Sequence, residues 1–177
     1  MIERLCLALD AISNWLGRSL AWLTLCMVIA TTLVVVLRYA FDMGAIALQE
    51  SITYMHGLVF MLGISYALKQ DGHVRVDVIY ARLNQRHKAL VNLLGHILFL
   101  LPLGLTVLIS SAQFVINSWR VLEGSSEVGG IPAVFLLKSL IPLMALLLLL
   151  QGVSEFLKSL RALRQPPSAA APTSESG

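Results

Sequence analysis

Few side chains in this sequence could do chemistry, and those few are scattered along long apolar runs. Glu50 follows Gln49 at the start of one such run. A carboxylate in lipid is costly, so it must face protein, water or a cation. Two readings follow. Glu50 is an ion-coupling or proton site, or it is an interfacial carboxylate paired with a cation such as Arg38 or Lys138. Its place near the start of the run favours the second. His56 and His96 fall within two different runs, and two intramembrane histidines could ligate a haem. Their depths disagree. His56 lies 13 residues from Lys69 and His96 lies 8 from Lys88, a mismatch of about 7 Å along a helix. Hydrogen-bonded histidines within a bundle are the better reading. Cys6 and Cys26 would stand about 30 Å apart on one helix, far beyond disulfide reach, and both read as small apolar residues. There is no Cys/His zinc spacing, phosphate loop or nucleophile elbow. Neither catalysis nor a cofactor is expected.

The elements that must position these groups are membrane spans. Apolar residues make up 57% of the 177-residue chain and charged residues 13%, about half the charged share of a soluble domain. A bilayer core of about 30 Å takes roughly 20 helical residues. Four segments meet that length, at about 19–37, 45–68, 90–117 and 136–156. They are too long and too uniformly apolar for barrel strands. The expected fold is therefore all-α, an integral membrane four-helix bundle formed by residues 1–164. The third run, Ala89 to Trp119, holds 31 residues without Asp, Glu, Lys or Arg. As a helix it would be about 46 Å long, so it must tilt, kink at Pro102 or project from the membrane. Pro142 should bend the fourth span. Gly57 and Gly63, with Ser51 and Ser65, give the second span a small-residue face for close packing, on this chain's own helices or a partner's. Lys138 can snorkel to an interface.

Charge sets the topology. Ten basic residues fall in the amino-terminal segment, the second connection and the carboxyl-terminal segment, against three (Arg38, Arg120 and Lys138) on the other side. The positive-inside rule places both termini in the cytoplasm, in agreement with an even number of spans, which puts them on one side. The net charge of +3 is thus explained by topology, and nucleic acid is not an expected partner. The first eighteen residues carry Glu3, Arg4, Asp10 and Arg18 ahead of a 19-residue uncharged run. That pattern predicts an uncleaved anchor helix, not a signal peptide. Two segments have apolar residues at helical spacing with polar residues between them. One is Leu5-Ala8-Leu9-Ile12-Trp15-Leu16, and the other is Val76-Ile79-Tyr80-Leu83. Each reads either as an amphipathic helix on the inner leaflet or as a helix packed on protein. Residues 165–177, low in complexity, should form a disordered cytoplasmic tail.

Two stretches, LRYAFDMGAIALQE from Leu37 and GISYALKQDGHVRVDVIYARL from Gly63, resemble the small membrane subunit, DctQ-like, of tripartite ATP-independent periplasmic (TRAP) transporters. Arg38-Tyr39, Gln49-Glu50, the run from Tyr66 to Asp77, and Gly130-Ile131-Pro132 with Lys138 and Pro142 carry the likeness, over roughly residues 20 to 163. The resemblance implies a subunit of the bacterial inner membrane. Its partners would be a large membrane subunit, a periplasmic solute-binding protein and membrane lipids. The large subunit would carry out ion-coupled uptake of an organic acid, usually with sodium, and the small one would brace it. On this view Arg38, Glu50, Gly57, Gly63 and Lys138 serve the scaffold or subunit interface. His73, Arg75, Asp77, Tyr80, Arg82 and Arg86 would form an interfacial anchor. The competing readings are an autonomous small transporter using Glu50 and a haem-bearing membrane anchor.

Overall fold

The structure is a computed structural model that describes residues 2–70, Tyr80 and residues 82–164. Its elements are α1 (Ile2–Ala40), α2 (Ile46–Lys69), α3 (Gln85–Gly95), a π-helical turn (His96–Leu100), α4 (Leu101–Arg120) and α5 (Val134–Arg164). The described residues contain no strand. Four helical stretches are long and apolar enough to cross a membrane: Cys6–Ala40, Ile46–Lys69, Arg86–Arg120 and Val134–Leu163.

α1 is one unbroken helix of 39 residues, about 58 Å long. The separate amphipathic segment expected before residue 19 is instead continuous with the rest of this helix. The cause lies in its buried face. Cys6, Ser13 and Leu20 are all buried, and their spacing of seven keeps one stripe of the helix against its neighbours from the start. Trp15 and Trp22 point the other way, 68% and 72% exposed. The far end of α1 closes where the Met43 N–H donates to the Leu37 carbonyl (3.0 Å), around Asp42 at φ 53°.

The third run also stays in one piece, and its length is handled locally. The Leu101 N–H donates to the His96 carbonyl, five residues back, as in a π turn. Pro102 follows and has no N–H to offer. The disruption expected at Pro102 is thus taken up by the turn just before it. α3 begins at Asn84, whose side chain accepts from the His87 N–H (2.9 Å), as an N-cap should.

α5 is the hub and packs against α1, α2, α3 and α4, while α1 pairs with α2. Its register explains why small residues dominate the interior. Ala145, Gly152 and Ser154 are buried. A Cβ on Gly104 of α4 would come within 2.6 Å of Leu149, and one on Gly57 of α2 within 2.9 Å of Leu137. Large apolar side chains such as Phe99, Leu103 and Ile109 point outward instead. Lipid is as apolar as leucine, so helices in a membrane gain by close backbone approach more than by hiding leucine.

Candidate functional site

The polar groups that the fold gathers lie in two clusters at opposite ends of the bundle. The first is where residues 121–133 connect α4 to α5. α4 ends with the Leu122 N–H on the Trp119 carbonyl (3.2 Å) and the Glu123 N–H on the Ser118 carbonyl (3.0 Å). This Schellman pattern normally places glycine at the left-handed position. Here Leu122 occupies it, at φ 46°. The turn aims Glu123 back at the helices. Its carboxylate accepts from Ser118 Oγ (2.6 Å) and pairs with Lys138 Nζ (2.5 Å). Lys138 also sits 4.1 Å from the centre of the Phe114 ring. The lysine and the serine hydroxyl together hold the Glu123 carboxyl below its ordinary pKa.

Glu50 completes this end. Its carboxylate accepts from the Ser125 hydroxyl and from the Ile131 N–H at 2.6 Å. A Cβ on Gly130 would fall 2.7 Å from Glu50 Oε1, so only glycine lets the loop close this tightly on the carboxylate. The cation expected beside Glu50 is therefore not there. Lys138 is engaged by Glu123, and Arg38 is exposed in the last turn of α1. Backbone and hydroxyl donors took the role because the loop, not a neighbouring helix, covers the start of α2.

The second cluster joins α1 to α5 at the end where both helix termini meet. Asp10 accepts from Lys158 Nζ (2.7 and 3.0 Å), Gln151 Nε2 (3.0 Å) and Ser154 Oγ (3.2 Å). Gln151 Oε1 accepts from Ser13 Oγ (2.7 Å). Glu155 Oε1 accepts from Gln151 Nε2 (3.1 Å) and Lys158 Nζ (2.7 Å). Lys69 of α2 donates to the Asp10 carbonyl (3.2 Å). Gln151 and Ser154 are essentially fully buried. Each of these donors finds an acceptor, as burial of polar groups demands. Sequence reasoning missed this cluster. The signal that could have found it was a lone glutamine after five consecutive leucines, with Asp10 on the polar side of the first helical segment.

The remaining expected residues are dispersed. Gly57 faces α5. Gly63 faces α1, where an added Cβ would sit an ordinary 3.8 Å from Leu20 Cδ1. Both therefore serve packing within the chain. Tyr80 donates its hydroxyl to Asn92 Oδ1 (3.2 Å), and Lys88 Nζ lies 5.5 Å from its ring centre. Arg82 and Arg86 are exposed. His73, Arg75 and Asp77 lie outside the described residues. His56 is exposed and stacks on Phe60 at 6.3 Å, in place of the hydrogen-bonded setting expected of it. His96 Nδ1 is 2.5 Å from the Asn92 carbonyl. His56 on α2 and His96 in the π turn stand on elements that each lie against α5. No group of three or more His, Cys, Asp or Glu suited to a metal ion occurs among the described residues.

Asp10, Glu50 and Glu123 thus join helices and a loop. No curated protein matches the chain, and no solved structure does. A family model does match: that of the DctQ component of tripartite ATP-independent periplasmic transporters, over residues 27–162. With well over half of the chain covered, the protein belongs to the DctQ family of TRAP transporter small components.

Proposed function

We propose that this small TRAP component is a brace, pairing with the large membrane subunit and holding it steady during ion-coupled uptake. The observation that carries the reading is the direction of the polar groups. Asp10, Glu50 and Glu123 are all satisfied by this chain's own donors, whereas the outward surfaces of the helices are apolar. A scaffold needs internal rigidity and an apolar exterior for lipid and a partner's helices. A stand-alone transporter would need ionisable groups placed at mid-depth along a pathway.

In this reading the protein sits in the bacterial inner membrane with both termini in the cytoplasm, as the distribution of basic residues supports. The Asp10 end is then the cytoplasmic end, and the Glu50 end faces the periplasm. The solute is an organic acid brought by a periplasmic binding protein, and sodium is the coupling ion. Tyr80, Arg82 and Arg86, with His73, Arg75 and Asp77, anchor the cytoplasmic side to lipid headgroups. Arg38 meets headgroups or the partner on the other side.

Reconstitution tests this. The purified chain alone in liposomes should give no solute uptake under a sodium gradient. Adding the large subunit and the binding protein should restore it, and the two membrane subunits should co-purify. Uptake by the chain alone would refute the brace and favour an autonomous transporter.

A further inference from the structure

The amino-terminal part of α1 is held in place in an unusual way. Over residues 2–18 three of its large apolar side chains point away from the bundle. Leu7, Ile12 and Trp15 are 63%, 47% and 68% exposed. The residues buried against α5 are Cys6 and Ser13, with Asp10 between them bound to Lys158, Gln151 and Ser154. Polar bonds therefore carry much of its attachment, to α5 through Asp10 and to α2 through Lys69 on the Asp10 carbonyl. Its outward face keeps Ile12 and Trp15 of the apolar surface read from the sequence and adds Leu7, a face fit to lie on a membrane. The segment meets the rest of α1 at Gly17, a weak point for helix continuity.

From this we infer that residues 2–16 form a latched arm. With the Asp10 cluster intact, the arm stands as a continuation of α1 against α5. With the cluster broken, it swings at Gly17 and lays its Leu7-Ile12-Trp15 face on the membrane surface. Lys158 and Glu155, both partly exposed, place the latch within reach of solvent, so it can open without dismantling the bundle. The inference concerns this chain's own fold and does not depend on the brace function.

The protein carries its own reporter. Cys6 is 5% exposed, with Sγ 4.0 Å from the Ser154 carbonyl oxygen. In membranes containing the full chain with Cys26→Ser, Cys6 should react slowly with a small membrane-impermeant thiol reagent. Asp10→Ala should speed that reaction about tenfold or more, the effect of losing a charge-assisted hydrogen bond. Lys158→Met should speed it less, because Gln151 and Ser154 still hold Asp10. The exchange Asp10→Lys with Lys158→Asp should restore protection, and it decides the matter even where Asp10→Ala fails to accumulate. Rapid labelling of Cys6 with the cluster intact would overturn the latch. So would unchanged protection in both single variants, or an exchange variant as reactive as Asp10→Ala.

Discussion

Gly17→Ala is the sharpest test of the packing argument, because two known effects oppose each other there. Gly17 lies inside α1, where replacing glycine by alanine ordinarily stabilises a helix by about 1 kcal/mol. At this position the new Cβ would stand 2.6 Å from Cδ2 and Cγ of Tyr66 and 2.8 Å from Cε2. Those are atoms of a rigid ring near its root, not the end of a flexible chain. The Tyr66 hydroxyl also accepts from Gln70 Nε2 (3.0 Å), which restrains the ring at its other end. Relief requires α1 and α2 to separate by most of an ångström. Overpacking of that kind costs about 1–3 kcal/mol, so the net effect should be a loss of about 1 kcal/mol. Unfolding in mixed micelles, followed by tryptophan fluorescence, measures it. Repeating the substitution in a Tyr66→Ala background should reverse the sign to a gain of about 1 kcal/mol, a coupling near 2 kcal/mol. If Gly17→Ala stabilises the protein equally in both backgrounds, the close approach of α1 and α2 is wrong.

The other predictions concern the connection at residues 121–133 and the anchor. Lys138 and Ser118 hold the Glu123 carboxyl below its ordinary value, so the linkage has a definite sign. The carboxylate's stabilising contribution is fully present above the unfolded-state pKa and is lost as pH falls through the lower folded-state value. Amide exchange in residues 121–133, corrected for its intrinsic pH dependence, should therefore quicken on acidification, and Glu123→Gln should flatten that response. Glu50→Ala removes the acceptor for the Ile131 N–H, so exchange at that amide should accelerate while α1 and the Asp10 cluster stay protected; unchanged exchange at Ile131 would count against the contact. Gly130→Ala should loosen the same loop, since its Cβ meets Glu50 Oε1 at 2.7 Å. Asp77→Ala should reduce recovery of the complex with the large subunit by pull-down. Intact assembly with only weaker solute affinity would remove Asp77 from the anchor.

Periodicity and length made the spans legible from the sequence. A run such as Ala89 to Trp119 with no charged residue has few options other than a helix in lipid, because every backbone polar group must be satisfied within the segment. The motif around Tyr66 to Asp77 likewise pointed to the family to which the chain belongs. These are local properties, and local properties survive in one dimension.

Partner choice does not. Glu50 looked like half of an ion pair, and Lys138 like its other half, yet Lys138 went to Glu123 and Glu50 went to Ser125 and the Ile131 N–H. Hydrogen-bond partners separated by 75 and 81 residues depend on how a loop folds back, which no spacing rule reports. Asp10 shows the same limit from the other direction. By itself it was only a charge on the polar side of a short amphipathic helix. The antiparallel register of α1 and α5 put Gln151, Ser154 and Lys158 around it, and so turned a surface residue into the centre of a partly buried network. The sequence determined how many membrane spans there are, about where they lie and what family the chain belongs to. Only tertiary packing decided which faces of those helices meet, because a buried polar group takes whichever partner the register brings within hydrogen-bond distance.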